Sequence, residues 1–238
     1  RSYSVTGVQT CALPIYALIG GLVGAAVAGY GLDALQFRGL LKILLILFTS
    51  PLLGLIVGYG MQKLIFFLCR GATPRINTFF RQSQGVTATA LALSHGANDA
   101  QKTVGLITVG LLAQGALPAF RPPSWVVVAC AATIALGTAV GGWSVIRTLG
   151  RKFYKVRPVH SFTSHLASAV IVFGAGALGG PVSTSQIVST TILGAGAAER
   201  VNMVRWGVMK QIMVTWLVTM PAVAALAAFF YWLLQGRG

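Results

Sequence analysis

Long apolar segments dominate this chain and restrict the solvent in which it can fold. The runs 40–69, 86–115, 125–146 and 206–234 are each long enough to cross about 30 Å of hydrocarbon as an α-helix. The sequence is 55% hydrophobic and only 9% charged, which is outside the range of soluble domains. Only helices and closed barrels satisfy their backbone polar groups in lipid. The pattern therefore predicts an all-α, polytopic helical membrane protein.

The few charges are strongly basic and unevenly placed. Lys and Arg number 18 against three acids, and they gather in short segments near 63–81, 147–157 and 200–210 between the apolar runs. The polar stretch 70–84 and the basic stretch 147–158 are expected to be loops. This distribution follows the positive-inside rule and places those segments beside anionic lipid on the cytoplasmic face. We therefore predict the lipid bilayer, and no nucleic acid, as a partner, and a multi-pass location in the cell inner (plasma) membrane.

One polar cluster interrupts an apolar run. Residues 94–105 read SHGANDAQKTVG, between flanks that are suited to hydrocarbon. A charged side chain at membrane depth costs about 2.5–3.5 kcal/mol on insertion scales, so such residues mostly mark a solute pathway. The candidate site residues of this cluster are Ser94, His95, Asn98, Asp99, Gln101 and Lys102.

These residue types indicate different roles. An ionised Asp99 only accepts hydrogen bonds, so a coupling cation or a carried proton suits it better than an anion does. Asn98 has a carbonyl and an amide and can contact both a cation and an anion. Gly96 is expected to break the helix and free carbonyls for the cation. His95 lacks a matching second ligand, so no metal site is predicted. A buried Asp99–Lys102 pair without a transport role is the alternative.

A second interruption predicts a helical hairpin. Two apolar stretches within 160–197 are separated by Gly179-Gly180-Pro181, and the second, 183–197, spans only about 22 Å as a helix. This length is too short to cross the hydrocarbon, so we expect a hairpin that enters and leaves on one side.

The start of the second hairpin arm is a candidate anion site. Ser183 is a favourable N-cap, and the N-terminus of a helix presents unpaired N–H groups to an anion. The hydroxyls of Thr184 and Ser185 and the amide of Gln186 add donors. Plain capping, with hydroxyls bonded to their own backbone, is the alternative. Glu199, at the end of this arm, is expected to be solvated, and Gly24 and Gly194 are expected to let helices approach closely.

Together, SHGANDAQKTVG and PVSTSQ resemble the motifs of the inorganic phosphate transporter family, the PiT permeases, over almost the whole chain from residue 17 to 234. The resemblance implies two inverted repeats around a midplane site, each with one GAND helix and one re-entrant hairpin. It implies phosphate ligands at Ser183–Gln186 and Asn98, and a co-transported sodium ion or proton, rather than another cofactor, at Asp99 and Asn98. Assembly into homo-oligomers stays open.

The resemblance also divides the chain. Residues 1–16 contain VTGVQTCALPI, which resembles a translated sequencing adapter, and are expected to be non-native. Residues 17–84 are expected to form the end of the first repeat and its linking helix, and 85–238 the second repeat with hairpin 160–197. The GAND helix of the first repeat is missing from this pattern, so the chain alone is expected to be inactive.

The resemblance thus implies phosphate import by cation symport and no enzymatic activity. A permease for another oxyanion such as sulfate is the alternative within transport. An intramembrane hydrolase that uses His95 and Asp99 with a hairpin hydroxyl, and a purely structural membrane subunit, are the alternatives from other classes.

Overall fold

The computed structural model describes residues 6–73, 75–152, 157–180, 182–204 and 206–235. Every regular element within these ranges is helical, which confirms the all-α prediction. Short 3₁₀ turns cover Leu32–Ala34 and Val201–Met203. The α-helices in chain order are α1 Thr6–Tyr30, α2 Phe37–Leu68, α3 Ile76–Ala113, α4 Ser124–Lys152, α5 Pro158–Ala177, α6 Thr184–Glu199 and α7 Trp206–Gln235.

Within the described residues, three stretches of helix are long and apolar enough to cross a membrane: α2, α5 and residues 217–235 of α7. Many of their large apolar side chains, such as Phe67 and Leu234, are exposed in this chain. A soluble protein rarely exposes so much contiguous apolar surface, but a lipid-facing helix does. The chain is therefore a helical membrane protein.

Two predicted loops are wrong. The polar stretch 70–84 was expected to be a loop, but α3 begins at Ile76. The basic stretch 147–158 was also expected to be a loop, but α4 continues to Lys152, and residues 153–156 lie outside the described ranges. Arg, Lys and Gln are good helix formers, so a membrane helix can continue beyond the apolar run that predicts it.

The predicted hairpin is present as α5 and α6, which pack against each other. α5 ends at Ala177, and Gly179 then adopts φ +67°, a left-handed conformation that glycine reaches without steric cost. Pro181, which was expected to stop the first arm, lies outside the described residues. With 16 residues, α6 is about 24 Å long.

Glycines set how closely α6 approaches α2. A Cβ on Gly58 would lie 2.6 Å from the carbonyl oxygen of Thr191, and one on Gly194 would overlap the carbonyl of Leu55. Gly24 of α1 meets Ala224 of α7 in the same way. The predicted close approach is thus confirmed at Gly24 and Gly194, and the hairpin is fixed against α2 by backbone contact.

Candidate functional site

Asn98 joins the two polar motifs. It lies in the middle of α3, which packs along α5, and is only 5% exposed. Its Nδ2 atom donates a hydrogen bond to the carbonyl oxygen of Val182, at 3.2 Å. Val182 directly precedes Ser183, so the segment 94–105 of α3 contacts the hairpin tip although 84 residues separate the bonded pair.

The hydroxyls at the hairpin tip are not used for capping. Ser183 occupies the N-cap position of α6 with extended backbone angles (φ −89°, ψ 107°), but its side chain makes no capping hydrogen bond. Its Oγ lies 3.2 Å from the Oγ of Ser185 instead. The first N–H groups of a helix have no partner within the helix, and here the side chain of Ser183 does not accept a hydrogen bond from them. The plain-capping alternative therefore does not describe this tip.

Gln186 is directed toward a different neighbour. It is fully buried, and its Nε2 donates a 2.6 Å hydrogen bond to the hydroxyl of Tyr16 on α1. Thr184 is also buried, at the first position of α6. The structure thus bonds Asn98 to Val182, the residue before Ser183, and brings the hydroxyls of Ser183 and Ser185 together. The amide nitrogen of Gln186 instead ties the hairpin to α1.

Asp99 lies in a network of three side chains on α3. Its Oδ1 is 2.9 Å from Nζ of Lys102, and its Oδ2 is 3.0 Å from Nε2 of His95. The (i, i+3) contact between Asp99 and Lys102 is the one that the spacing predicts. Both carboxylate oxygens have a partner here, and each keeps a second lone pair. A cation at Asp99 can therefore share the carboxylate with Lys102 and His95, replace one of them, or enter as a proton.

Gly96 does not break α3, and that prediction is wrong. The helix continues from Ile76 to Ala113 through this position. A glycine in a helix interior costs only about 1 kcal/mol relative to alanine, which is small beside the cost of exposing backbone groups to lipid.

The two groups of candidates occupy adjacent faces of α3. Ser94, Asn98 and Gln101 line a cavity of about 450 Å³ between α3 and α5, whose other wall includes Phe173 and Gly176. The network of His95, Asp99 and Lys102 does not line it. Successive residues of a helix are about 100° apart, so the two triplets are neighbours on the helix surface. The arrangement places a largely apolar cavity, with three polar side chains in its lining, beside a charged network, and Asn98 is next to both.

Glu199 is not solvated as predicted. Its side chain is 18% exposed, and its two oxygens lie 3.0 Å from Nη1 of Arg157 and 2.8 Å from Nε2 of His160. The sequence also gave no prediction for Gln62 on α2, which is fully buried. Local pattern carries no signal for either, because the partners and the burial come from other helices.

Fold and site together define a class of protein. Polar side chains within a helical membrane protein, facing the N-terminus of a half-helix, are the arrangement found in secondary transporters. A sequence model described as "Phosphate transporter family" matches residues 68–227, about two thirds of the chain. The chain belongs to this family.

Several curated relatives share this similarity. A protein of Bacillus subtilis (strain 168) described as "Probable low-affinity inorganic phosphate transporter" is 39% identical over 222 residues, which cover 92% of this chain and 67% of that protein. A protein of Rhizobium meliloti (strain 1021) with the same description is 43% identical and covers 91% of this chain and 65% of that protein. The chain thus spans about two thirds of the length of these relatives.

A solved structure supports the fold. It is described as "The sodium-dependent phosphate transporter" and aligns with a TM-score of 0.78, covering 96% of this chain and 85% of that one, at 21% identity. At that identity the similarity concerns the fold. Because the matching family and these relatives are described as transporters, the chain belongs to a transporter family and not to an enzyme family, which contradicts the hydrolase alternative.

Proposed function

We propose that the full-length protein containing this chain imports inorganic phosphate together with a cation by alternating access. The observation that carries the proposal is the 3.2 Å hydrogen bond from Asn98 to the carbonyl of Val182, which places the polar face of α3 against the hairpin tip. Family membership supports phosphate as the solute, since the curated relatives are described as phosphate transporters.

Phosphate binds at the N-terminus of α6 in this proposal. The hydroxyls of Ser183 and Ser185 lie together there, and neither is engaged in capping the helix. Backbone N–H groups and the positive end of the helix dipole favour an anion at this position. Asn98 keeps one amide hydrogen and its Oδ1 after bonding to Val182, so it can donate to the anion and accept from a neighbour. Thr184 and Gln186 complete the proposed set.

The cation belongs on the adjacent face of α3, near Asp99 and Asn98. Asp99 is the carboxylate of the polar segment, and Lys102 and His95 hold both of its oxygens. Sodium is one candidate, because the matching structure is described as sodium-dependent. A proton is the other, because a histidine and a carboxylate 3.0 Å apart can exchange one. Ser94, His95, Gln101 and Lys102 are accessory residues in either case.

The proposal also includes how the protein lies in the membrane. We propose a multi-pass protein of the plasma membrane in which residues 85–238 form a second repeat and the α5–α6 hairpin is re-entrant from the cytoplasmic face. A 16-residue α6 is too short to cross the hydrocarbon, which supports re-entry. In this proposal an inverted first repeat supplies the other half of the site. Residues 17–84 are then the end of that first repeat and the segment that links it to the second.

Uptake of labelled phosphate into liposomes by the full-length protein tests the proposal. A sodium gradient and a pH gradient are imposed separately, and unlabelled sulfate and arsenate are added as competitors. Phosphate accumulation driven by one of the two gradients is expected, with arsenate competing and sulfate not. Equal competition by sulfate would support the broader oxyanion permease instead, and no uptake with either gradient would reject phosphate symport.

Asp99→Asn is the sharpest variant of that assay. It preserves the shape of the side chain and removes the charge, so cation-driven uptake is expected to disappear while the protein is still made and inserted. Asp33→Asn is the matched control, because Asp33 lies in an exposed 3₁₀ turn away from the site. Uptake by Asp99→Asn equal to that of the control would exclude Asp99 from cation coupling.

A further inference from the structure

The open end of the hairpin, opposite its tip, carries a cluster of charges that phosphate binding does not use. Arg157 precedes α5, and Glu199 is the last residue of α6. Nη1 of Arg157 lies 3.0 Å from Oε1 of Glu199, and Nε2 of His160 lies 2.8 Å from Oε2. One carboxylate thus contacts both a residue before α5 and a residue in its first turn, and it connects the two arms where they separate.

The cluster is partly shielded from water, which strengthens its ion pairs. Arg157 is 67% exposed, Glu199 is 18% exposed and His160 is 1% exposed. A fully exposed ion pair contributes little because water and salt screen it. A carboxylate held between a buried imidazole and an arginine loses less to screening, and removing one partner weakens the connection between the arms. The cluster therefore resists separation of the arms.

The same end of the hairpin is tied to α3. Nε2 of Gln84 donates a 2.8 Å hydrogen bond to the carbonyl of Pro158, the first residue of α5. Gln84 and Asn98 are 14 residues apart on α3, or about 21 Å along the helix axis. The hairpin is consequently attached to α3 at its open end through Gln84 and at its tip through Asn98.

We propose that Glu199 is a positioning residue for phosphate transport: through Arg157 and His160 it holds the two hairpin arms together at their open end, and this keeps the tip hydroxyls in register with Asn98. The inference rests on the proposed function, because it assigns the tip as the phosphate site. Glu199 itself touches neither phosphate nor cation. Loosening the arms lowers the fraction of molecules in which Ser183 and Asn98 face each other, and the apparent affinity falls by that fraction.

Kinetics of phosphate uptake by the full-length protein test this role. Glu199→Gln is expected to raise KM for phosphate about two- to fivefold with little change in the maximal rate per transporter. Arg157→Gln is expected to do the same to a smaller extent, and Arg157→Lys to stay close to the wild type because it keeps the charge. Arg200→Gln is the matched control, since Arg200 is exposed and makes no ion pair within the part of the chain that the structure describes.

A double mutant separates positioning from independent damage. Since Arg157 acts through Glu199, the double variant Arg157→Gln with Glu199→Gln is expected to have the KM of Glu199→Gln alone. Additive increases in KM, or a fall in maximal rate with KM unchanged, would overturn the proposal. Uptake is normalised to the amount of folded transporter, so reduced expression does not imitate either result.

A distance measurement gives a readout that does not depend on transport. Spin labels at Ser161 on α5 and Ala197 on α6 report the separation of the arms near their open end. Glu199→Gln is expected to broaden the distance distribution, and an unchanged distribution would overturn the proposal. If the wild-type protein transports no phosphate but its distribution still broadens with Glu199→Gln, the function has failed while the connection between the arms stands.

Discussion

The hairpin has two walls that are built in opposite ways. Where α6 meets α2, glycines bring backbone against backbone, and an added Cβ at Gly194 would overlap the carbonyl of Leu55. Where α5 meets α3, the helices leave a cavity of about 450 Å³ lined by Ser94, Asn98 and Gln101. The α2–α6 contact leaves no space between the backbones at Gly194, whereas the α3–α5 side leaves room with three polar side chains in its lining. A transporter needs both, because a binding site is only as well defined as its support.

The largest expected effect is on stability, at the close contact between α2 and α6. Gly194→Ala places a Cβ against the backbone of α2, which cannot move as a flexible side chain would, so the unfolding free energy should fall by about 3 kcal/mol. Gly110→Ala on α3 is the control, because no atom lies within 4 Å of its added Cβ. Thermal unfolding in detergent measures both. Equal stability of the two variants would mean that the α2–α6 contact is looser than the structure has it.

At the cavity between α3 and α5, Asn98→Ala is expected to act mainly on phosphate binding. It removes a buried hydrogen bond to Val182 and a proposed phosphate donor. The loss of about 1–2 kcal/mol of binding free energy should raise KM for phosphate about five- to thirtyfold. The matched variant Asn77→Ala is exposed on the same helix and should leave KM unchanged. Liposome uptake over a range of phosphate concentrations measures both, and identical KM values would remove Asn98 from the site.

The smallest expected effect is on stability and is tested by two glutamines, one on α2 and one at the cavity between α3 and α5. Gln62 of α2 is fully buried, and its two amide atoms have no hydrogen-bond partner among the described residues. Since an unpaired buried amide is costly, Gln62→Met should raise the unfolding free energy by about 1 kcal/mol. Gln101→Met, at the cavity, is exposed in this chain and should not be stabilising. Destabilisation by Gln62→Met in thermal unfolding would indicate that the amide has a partner in the complete transporter.

The sequence predicts the parts of the site better than their connections. The apolar runs predict the helices, and Gly179 and the short second arm predict the hairpin, because these depend on local composition. The proximity of Asn98 to the tip also follows, since two polar interruptions in a membrane protein are expected to meet. The pairing of Glu199 with Arg157 does not follow, because 42 residues separate them and nothing local distinguishes a paired carboxylate from a solvated one.

The error at Gly96 has a physical cause. Gly96 was expected to break α3, but the helix continues. The expectation assigns glycine its most distinctive capability, and the environment decides whether that capability is used: lipid favours an unbroken backbone ladder at Gly96. The role of Gln186 at the tip stays a prediction, because the hydrogen bond to Tyr16 uses only one of its two amide hydrogens.

The length of α6 has an electrical consequence in the proposed re-entrant arrangement. A helix of about 24 Å is long enough to carry its N-terminus to the midplane of a 30 Å hydrocarbon layer, about 15 Å deep. An ion that reaches a midplane site from the side of the open end crosses about half of the membrane voltage before it binds. With about 2.3 kcal/mol per charge for each 100 mV, such an ion gains or loses about 1.2 kcal/mol per 100 mV on the way. In that arrangement, the occupancy of the proposed phosphate site depends on the energised state of the cell.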